Sequence, residues 1–230
     1  MATSTLHTAP ERGAQRRGDR TRQALLDAAL VEFAASGFEA ASTRDIARRA
    51  GVRQGQLTYH FASKHVLWQA TVDRLFERFD ELLAAGAPAI DPADQGDARS
   101  RLARSIRALV RAVAALPELN RIMVHEATAR TPRLEWIVEQ HVRDRFDSLA
   151  DQWLAVRADG QASDADPIVI YYTVVGVASL LYVNTPEAHL LLGRDDLVDD
   201  TVIDAHADLL VTMLLGNEPS TASPATTEGT

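Results

Sequence analysis

The stretch from Ser42 to Lys64, Ser-Thr-Arg-Asp-Ile-Ala-Arg-Arg-Ala-Gly-Val-Arg-Gln-Gly-Gln-Leu-Thr-Tyr-His-Phe-Ala-Ser-Lys, constrains this chain more than any other. It reads as two short helices hinged at Gly51. Ser42 is placed to cap the first, with Asp45 three residues on able to reach back in a capping box. Ile46, Ala47 and Ala50 then share one face, and Arg44, Arg48 and Arg49 turn toward solvent. Gly51 supplies the left-handed conformation that ends the helix, and Val52 plugs the corner. The second helix carries Arg53, Gln54, Gln56, Thr58 and Tyr59, with Leu57 and Phe61 as its core side. Two helices in this arrangement make a helix-turn-helix, whose second helix fits a DNA major groove.

From Thr21 to about Leu67 the chain resembles the DNA-binding domain of TetR-type (tetracycline-repressor-like) transcriptional regulators. The matching residues extend beyond the turn. Leu25, Leu26, Asp27, Ala28, Ala29, Leu30 and Phe33 form a first helix closed by Gly37 and Phe38. Thr43, Ile46, Ala47, Ala50, Gly51, Val52, Gly55, Leu57, His60, Phe61 and Lys64 fill the other signature positions. The chain departs from the pattern at Arg53, where the family usually has a small hydroxyl residue, and at Thr58, where it often has an aromatic. The resemblance implies an all-α fold, with an N-terminal three-helix DNA-binding domain joined to a larger C-terminal helical domain for ligand binding and dimerisation. The expected boundaries are a flexible basic arm at 1–19, the DNA-binding domain at 20–66, the helical domain at 67–215 and a disordered tail at 216–230.

Charge agrees with that division. The whole chain carries a net −8. Residues 1–64 hold ten Lys and Arg against six Asp and Glu, a net of +4, whereas the remainder holds fourteen against twenty-six, a net of −12. Screening confines attraction to within about 8–10 Å at ordinary salt, so the local charge of the head governs its encounter with phosphate. Arg12, Arg16, Arg17, Arg20 and Arg22 lie at the end of the expected arm, just before the first helix. An arm of this kind tracks phosphates or enters a minor groove; the alternative is a solubilising tail. There are no cysteines, so neither a disulfide framework nor a thiolate metal site is available. No apolar run of signal-peptide length follows the first charges. The most apolar segment, residues 168–183, is shorter than the roughly 20 residues that span a bilayer. The expected location is the cytoplasm, with no membrane partner.

Periodicity predicts helices over 64–85, 98–115, 118–130, 132–157 and 201–215, with a loop at 86–97. Pro117 breaks one helix, Pro132 opens another, and Asp166-Pro167 reads as a cap followed by a first-turn proline. The helix from Lys64 begins in the DNA head and ends in the body, which makes it a mechanical link. Residues 168–183 are apolar nearly all the way round, so they demand burial on several sides. Paired with the last helix, they suit a four-helix homodimer interface through about 167–184 and 200–215, as the resemblance also implies; the alternative is that both fill the monomer core.

Side-chain chemistry nominates the contacts. Gln54 and Gln56 suit bidentate bonding to adenine, and Arg53 suits guanine or phosphate. Thr58 fits a thymine methyl or a phosphate; Tyr59, His60, Thr43, Arg44 and Lys64 fit phosphate. Gly55 reads as a close-approach position, against DNA or a neighbouring helix. By resemblance, a small-molecule effector enters the body and releases a DNA operator. Candidate lining residues are Phe76, Phe79, Met123, His125, Trp136, Phe146, Tyr171 and Tyr172, with Asn120, Glu126 and Gln140 as polar handles, although such residues also build ordinary cores. No enzyme is expected: no Glu-x-x-His pair, His-Glu-x-x-His, Gly-x-Ser-x-Gly or phosphate-cradling loop occurs, and no catalytic residue, metal or cofactor is nominated. The reading is a homodimeric DNA-binding regulator, a repressor on the simplest mechanism; the alternative is an architectural, nucleoid-associated protein without ligand control.

Overall fold

A computed structural model describes residues 9–86, 97–193 and 199–216. The described residues form helices and no strand: α1 (Ala9–Ala40), α2 (Thr43–Arg49), α3 (Gln54–His60), α4 (Lys64–Gly86), α5 (Ala98–Ala115), α6 (Pro117–Ala127), α7 (Pro132–Ile137), α8 (Arg143–Ala158), α9 (Pro167–Val183), α10 (Thr185–Leu192) and α11 (Asp200–Leu215). A π turn, Val138–Val142, joins α7 to α8. The helix predicted over 132–157 is therefore one continuous rod with an inserted wider turn. Apolar spacing does not register such an insertion, because it shifts the face by a single residue. α10 was not anticipated.

The arm expected to be flexible is helical from Ala9 onward. Ala, Arg and Gln are good helix formers, and local bonds help: Gln15 Nε2 donates to Asp19 Oδ1 at 3.4 Å and Thr21 Oγ1 to the Arg17 carbonyl at 3.0 Å. Residues 1–8, most of the predicted 86–97 loop and the tail beyond Gly216 lie outside the described residues. At Gly37 the backbone leaves the helix with φ 70° and ψ 173°, turning α1 toward α2. A β-carbon there would come within 3.2 Å of His125 Nδ1, so both conformation and space select glycine.

A small core unites the head. Leu25, Leu26, Ala29 and Phe33 of α1 bury against Ile46 and Ala47 of α2, Leu57 of α3, Phe61 and Leu67. α4 continues from that core into the body, where Leu75, Phe76 and Phe79 pack against α5. An uninterrupted row of rings follows: Phe33 to Phe38 (6.1 Å between centroids), Phe38 to Trp68 (6.0 Å), Trp68 to Trp136 (5.6 Å), Trp136 to His141 (5.1 Å) and His141 to Phe76 (4.4 Å). Head and body thus share one hydrophobic core, as expected where no flexible linker separates them.

α5 and α11 run antiparallel in a register written in charge. Arg99 donates to the Leu215 carbonyl and, at 2.7 Å, to that of Gly216; Arg107 meets Asp208 at 2.9 Å; Arg111 meets Asp204 at 2.8 Å. Each exposed pair contributes under about 1 kcal/mol, but a ladder with constant offset opposes any slip of one helix along the other. Arg99 also sits at the carbonyl end of α11, where a cation is favoured. α9 opens as predicted, with Asp166 accepting from Ile168 N at 2.9 Å and Pro167 in the first turn. No single described helix is long and apolar enough to cross a membrane; α9 and α10 together would be, but they are bent by 62°.

α9 and α11 are tied by Tyr182 and His206, whose hydroxyl and Nδ1 lie 3.0 Å apart. Burial pushes the Tyr182 phenol up to about 12, so it stays neutral and donates. Burial likewise lowers the His206 pKa, against a smaller opposing backbone hydrogen bond at Val177. His141 is lowered in the same sense by burial, with Asp73 at 3.0 Å opposing. Folding therefore favours neutral imidazoles. The unfolded chain takes up these protons first, near pH ~6.5, so this part of the stability is complete above that value. It is lost as pH falls through the lowered folded-state values. Denaturant midpoints should drop between pH 7.5 and 5.5, and His206→Gln should shrink the drop; an identical drop in the variant would remove His206 from the account.

Candidate nucleic-acid interface

The turn is built nearly as read, with one substitution of parts. Ser42 Oγ accepts from Asp45 N at 3.3 Å, the capping bond expected. The reciprocal bond to Ser42 N comes from Glu32 of α1 at 3.4 Å, not from Asp45, whose carboxylate pairs with Arg48 at 2.6 Å. Aspartate is a methylene shorter than the glutamate a capping box uses, so the longer Glu32 substitutes across the helix pair. Gly51 adopts φ +69° as required. Val52 N donates to the Ala47 carbonyl at 3.0 Å, closing the corner.

At α3 the unusual Arg53 occupies the cap position in extended conformation. Its side chain provides no acceptor, and Gln56 compensates: its Oε1 takes the Arg53 N–H at 3.2 Å. Gln54 Nε2 donates to Thr43 Oγ1 at 3.2 Å, bridging α3 to α2. Both glutamines nominated as base readers are exposed and engaged within the head, each by one of its two polar atoms, which orients the amide. Thr58 Oγ1 donates to the Gln54 carbonyl at 3.3 Å. Tyr59 is 86% exposed, with half-buried His60 set edge-on to its ring at 5.2 Å. Arg44, Arg53 and Gly55 are exposed, and a β-carbon at Gly55 would meet nothing within 4 Å. No neighbouring helix therefore demands that glycine. Lys64 behaves differently: its Nζ donates to the Glu39 carbonyl at 3.1 Å and lies 4.7 Å from the Phe38 ring, so it is spent inside the head.

Of the residues nominated for a ligand pocket, only Tyr172 lines either of the two open concavities described below. Phe76 and Trp136 belong to the aromatic row, and Phe79 is core. Phe146 and Tyr171 form a separate edge-on pair 5.4 Å apart, while Tyr172 is 68% exposed on the outer face of α9. Gln140 is exposed, Met123 half-buried, and His125 is the residue against Gly37. Asn120 is buried, and its Nδ2 has no hydrogen-bond partner among the described residues. Open surface concavities lie instead among Glu32, Asp45, Arg48 and Arg49, about 300 Å³, and along Ile168, Val169, Tyr172 and Thr173, about 430 Å³.

Sequence reasoning assigned Glu126 to a ligand and passed over Arg133. The carboxylate is 3% exposed and gripped by Arg133 Nε at 3.0 and 3.2 Å. Arg133 Nη1 reaches on to Glu39 of α1 at 3.0 Å, and its guanidinium lies 4.1 Å from the Phe38 ring centroid. The signal was in the sequence: Leu119, Ile122 and Glu126 lie three and four residues apart on the buried face of α6. An acidic residue at such a position calls for a cation from elsewhere.

Residues 25–71 match the pattern of the bacterial regulatory proteins of the tetR family. The repressor KstR2 of Rhodococcus jostii is 39% identical over 69 residues, covering 28% of this chain and 34% of that protein. The repressor KstR of Mycolicibacterium smegmatis is 28% identical over 213 residues, covering 90% of this chain and 93% of its own. The match thus spans about a third of KstR2 but nearly all of KstR. Among solved structures, AibR in complex with isovaleryl coenzyme A and operator DNA superposes with a TM-score of 0.66 at 19% identity, over 85% of this chain and 98% of that one. With the helix-turn-helix built residue by residue, the head carries the pattern of the tetR family of bacterial regulatory proteins over residues 25–71, on a chain that shares the fold of AibR.

Proposed function

We propose that this chain is a sequence-specific, cytoplasmic DNA-binding repressor that acts as a homodimer on a two-fold symmetric operator and releases it when a small molecule enters the helical body. One observation carries the reading: α3 buries only Leu57 and presents Arg53, Gln54, Gly55, Gln56, Thr58 and Tyr59 outward, on a head whose net charge is positive. Arg53, Gln54 and Gln56 read base edges; Thr43, Arg44, Thr58, Tyr59 and His60 fix the helix on phosphates.

The dimer rests on surface left over in one chain. On α9, Val169, Tyr172, Gly176 and Leu180 form an exposed stripe, Leu180 being 63% exposed; on α11, Ala205, Leu209 and Met213 form another, Met213 being 65% exposed. Apolar stripes of this length on adjacent helices fit an isologous contact. Gly176 costs helix stability, and a β-carbon there would meet nothing within 4 Å, leaving room for a close crossing by the partner's helix. For the effector, the buried, unpartnered amide of Asn120 is the polar handle best supported. The complex of AibR with isovaleryl coenzyme A and operator DNA supports a reading with both a small-molecule and a DNA partner.

Selection of bound sequences from a random DNA pool at near-physiological salt should return a palindrome. Recovery of no enriched sequence, with binding lost steeply as salt rises, would favour an architectural role. Gly55→Ala should stabilise the free protein by up to about 1 kcal/mol, because alanine is the better helix former and its methyl meets only solvent. The same variant should weaken operator binding at least roughly 10-fold if DNA approaches that backbone; unchanged binding would place DNA elsewhere. Arg44→Ala should reduce the salt slope by about 1. Lys64→Ala should leave the slope nearly unchanged and lower thermal stability, since its ammonium holds α1. Equal slope changes in the two variants would overturn that distinction.

A further inference from the structure

The geometry points to Arg133 as the positioning residue that sets the angle of the DNA head on the body, an inference that rests on the operator-binding function proposed above. Arg133 is the second residue of α7 and touches three residues on two other helices. Its Nε holds the buried carboxylate of Glu126 on α6, and its Nη1 holds Glu39 in the last turn of α1. Its plane lies over Phe38, the residue that follows the turn at Gly37. A guanidinium engaged on two donors and one face has little freedom, because its rigid fork fixes direction as well as distance. Glu126 anchors the fork in the body; Glu39 and Phe38 are what it grips in the head.

The same α7 rod then follows α4. Trp136 meets Trp68, His141 meets Asp73, and Arg145 meets Asp80 at 2.5 Å. α4 itself begins in the head, so the rod that grips the end of α1 also lies along the link between head and body. A displacement of α7 cannot leave both contacts with the head unchanged. With Glu39 held, one head orientation is populated. With it released, the head rocks, and operator affinity falls in proportion to the fraction of heads correctly placed.

Glu39→Gln separates this role from simple electrostatics. Glu39 is an exposed acidic group on the DNA-binding head, so removing its charge should, by attraction to phosphate alone, tighten binding. The clamp requires the opposite. Against the selected operator, Glu39→Gln should bind roughly 5-fold more weakly, since an exposed pair is lost in each of two heads. The salt slope and thermal midpoint should be unchanged. Arg133→Lys, which keeps a cation beside Glu126 but loses the fork, should weaken binding similarly, and the double variant should be no weaker than Arg133→Lys alone. Hydrogen exchange of the free protein should rise at residues 37–41 and 131–134 in Glu39→Gln. Affinity equal to or tighter than wild type, or unchanged exchange, overturns the inference. A wild-type protein that selects no operator would instead overturn the repressor reading, and exchange alone would then decide whether the clamp holds the head.

Discussion

The ion pair between Glu126 and Arg133 is the constraint from which the junction follows. A buried carboxylate is costly unless its partner stays, and losing one partner of such a pair costs about 3–5 kcal/mol. That penalty keeps Arg133 pinned over α6, which in turn places its remaining donor and its face against α1. The apolar contacts then accumulate around it: Phe38 beneath the guanidinium, Trp68 beside Phe38, Trp136 beside Trp68. A pair of this kind adds little net stability over a well-packed apolar substitute. What it adds here is direction, because Nε and Nη1 hold the planar guanidinium on two carboxylates of two different helices at once.

The head was legible because its determinants are local. Capping, the left-handed glycine and the Leu57–Phe61 core side all act within a few residues, so their spacing survives in the sequence. Even there the exception is a long-range one: Glu32, ten residues before Ser42, takes the place expected for Asp45. The body was legible only as helices. Its breaks and starts at Pro117, Pro132 and Asp166 are local and were readable, whereas the roles of its aromatic residues depend on which helices meet. Phe76 and Trp136 look alike as pocket or core residues in sequence, and that both pack on His141, delivered by the π turn, is a long-range contact the spacing does not carry. The arginines of the first segment were misread for a related reason. Their charge suggested an arm, while the intrinsic helix preference of Ala, Gln and Arg carries α1 back to Ala9.

Net charge misleads unless the partners of each arginine are known. In the body, Arg107, Arg111, Arg145 and Arg157 lie against Asp208, Asp204, Asp80 and Asp164, so these cations are neutralised where they stand and serve helix register. In the head, Arg44 and Arg53 stand exposed beside the recognition helix. The same residue type thus stands in two settings, and the difference is an aspartate within 4 Å. An acidic body adds a further effect: beyond a Debye length it is screened from DNA, yet it disfavours close alignment of the body along the duplex, leaving the head as the surface that approaches phosphate.

A head that shares its core with the body answers to whatever moves the body. Were the two joined by a flexible linker, occupancy of the body would leave the recognition helix indifferent, because a ligand shifts an equilibrium only through contacts that differ between states. Here α4 begins at Lys64, whose ammonium binds the end of α1, and continues to Phe76 beneath His141. A ligand that displaced the His141 ring would act on α4 directly and, through α7, on Arg133. Close packing makes the transmission abrupt: rings at 4.4 to 6.1 Å have no slack in which a small displacement could be absorbed. The junction is therefore stiff, and the arginine within it grips the head at exposed Glu39 and the body at buried Glu126.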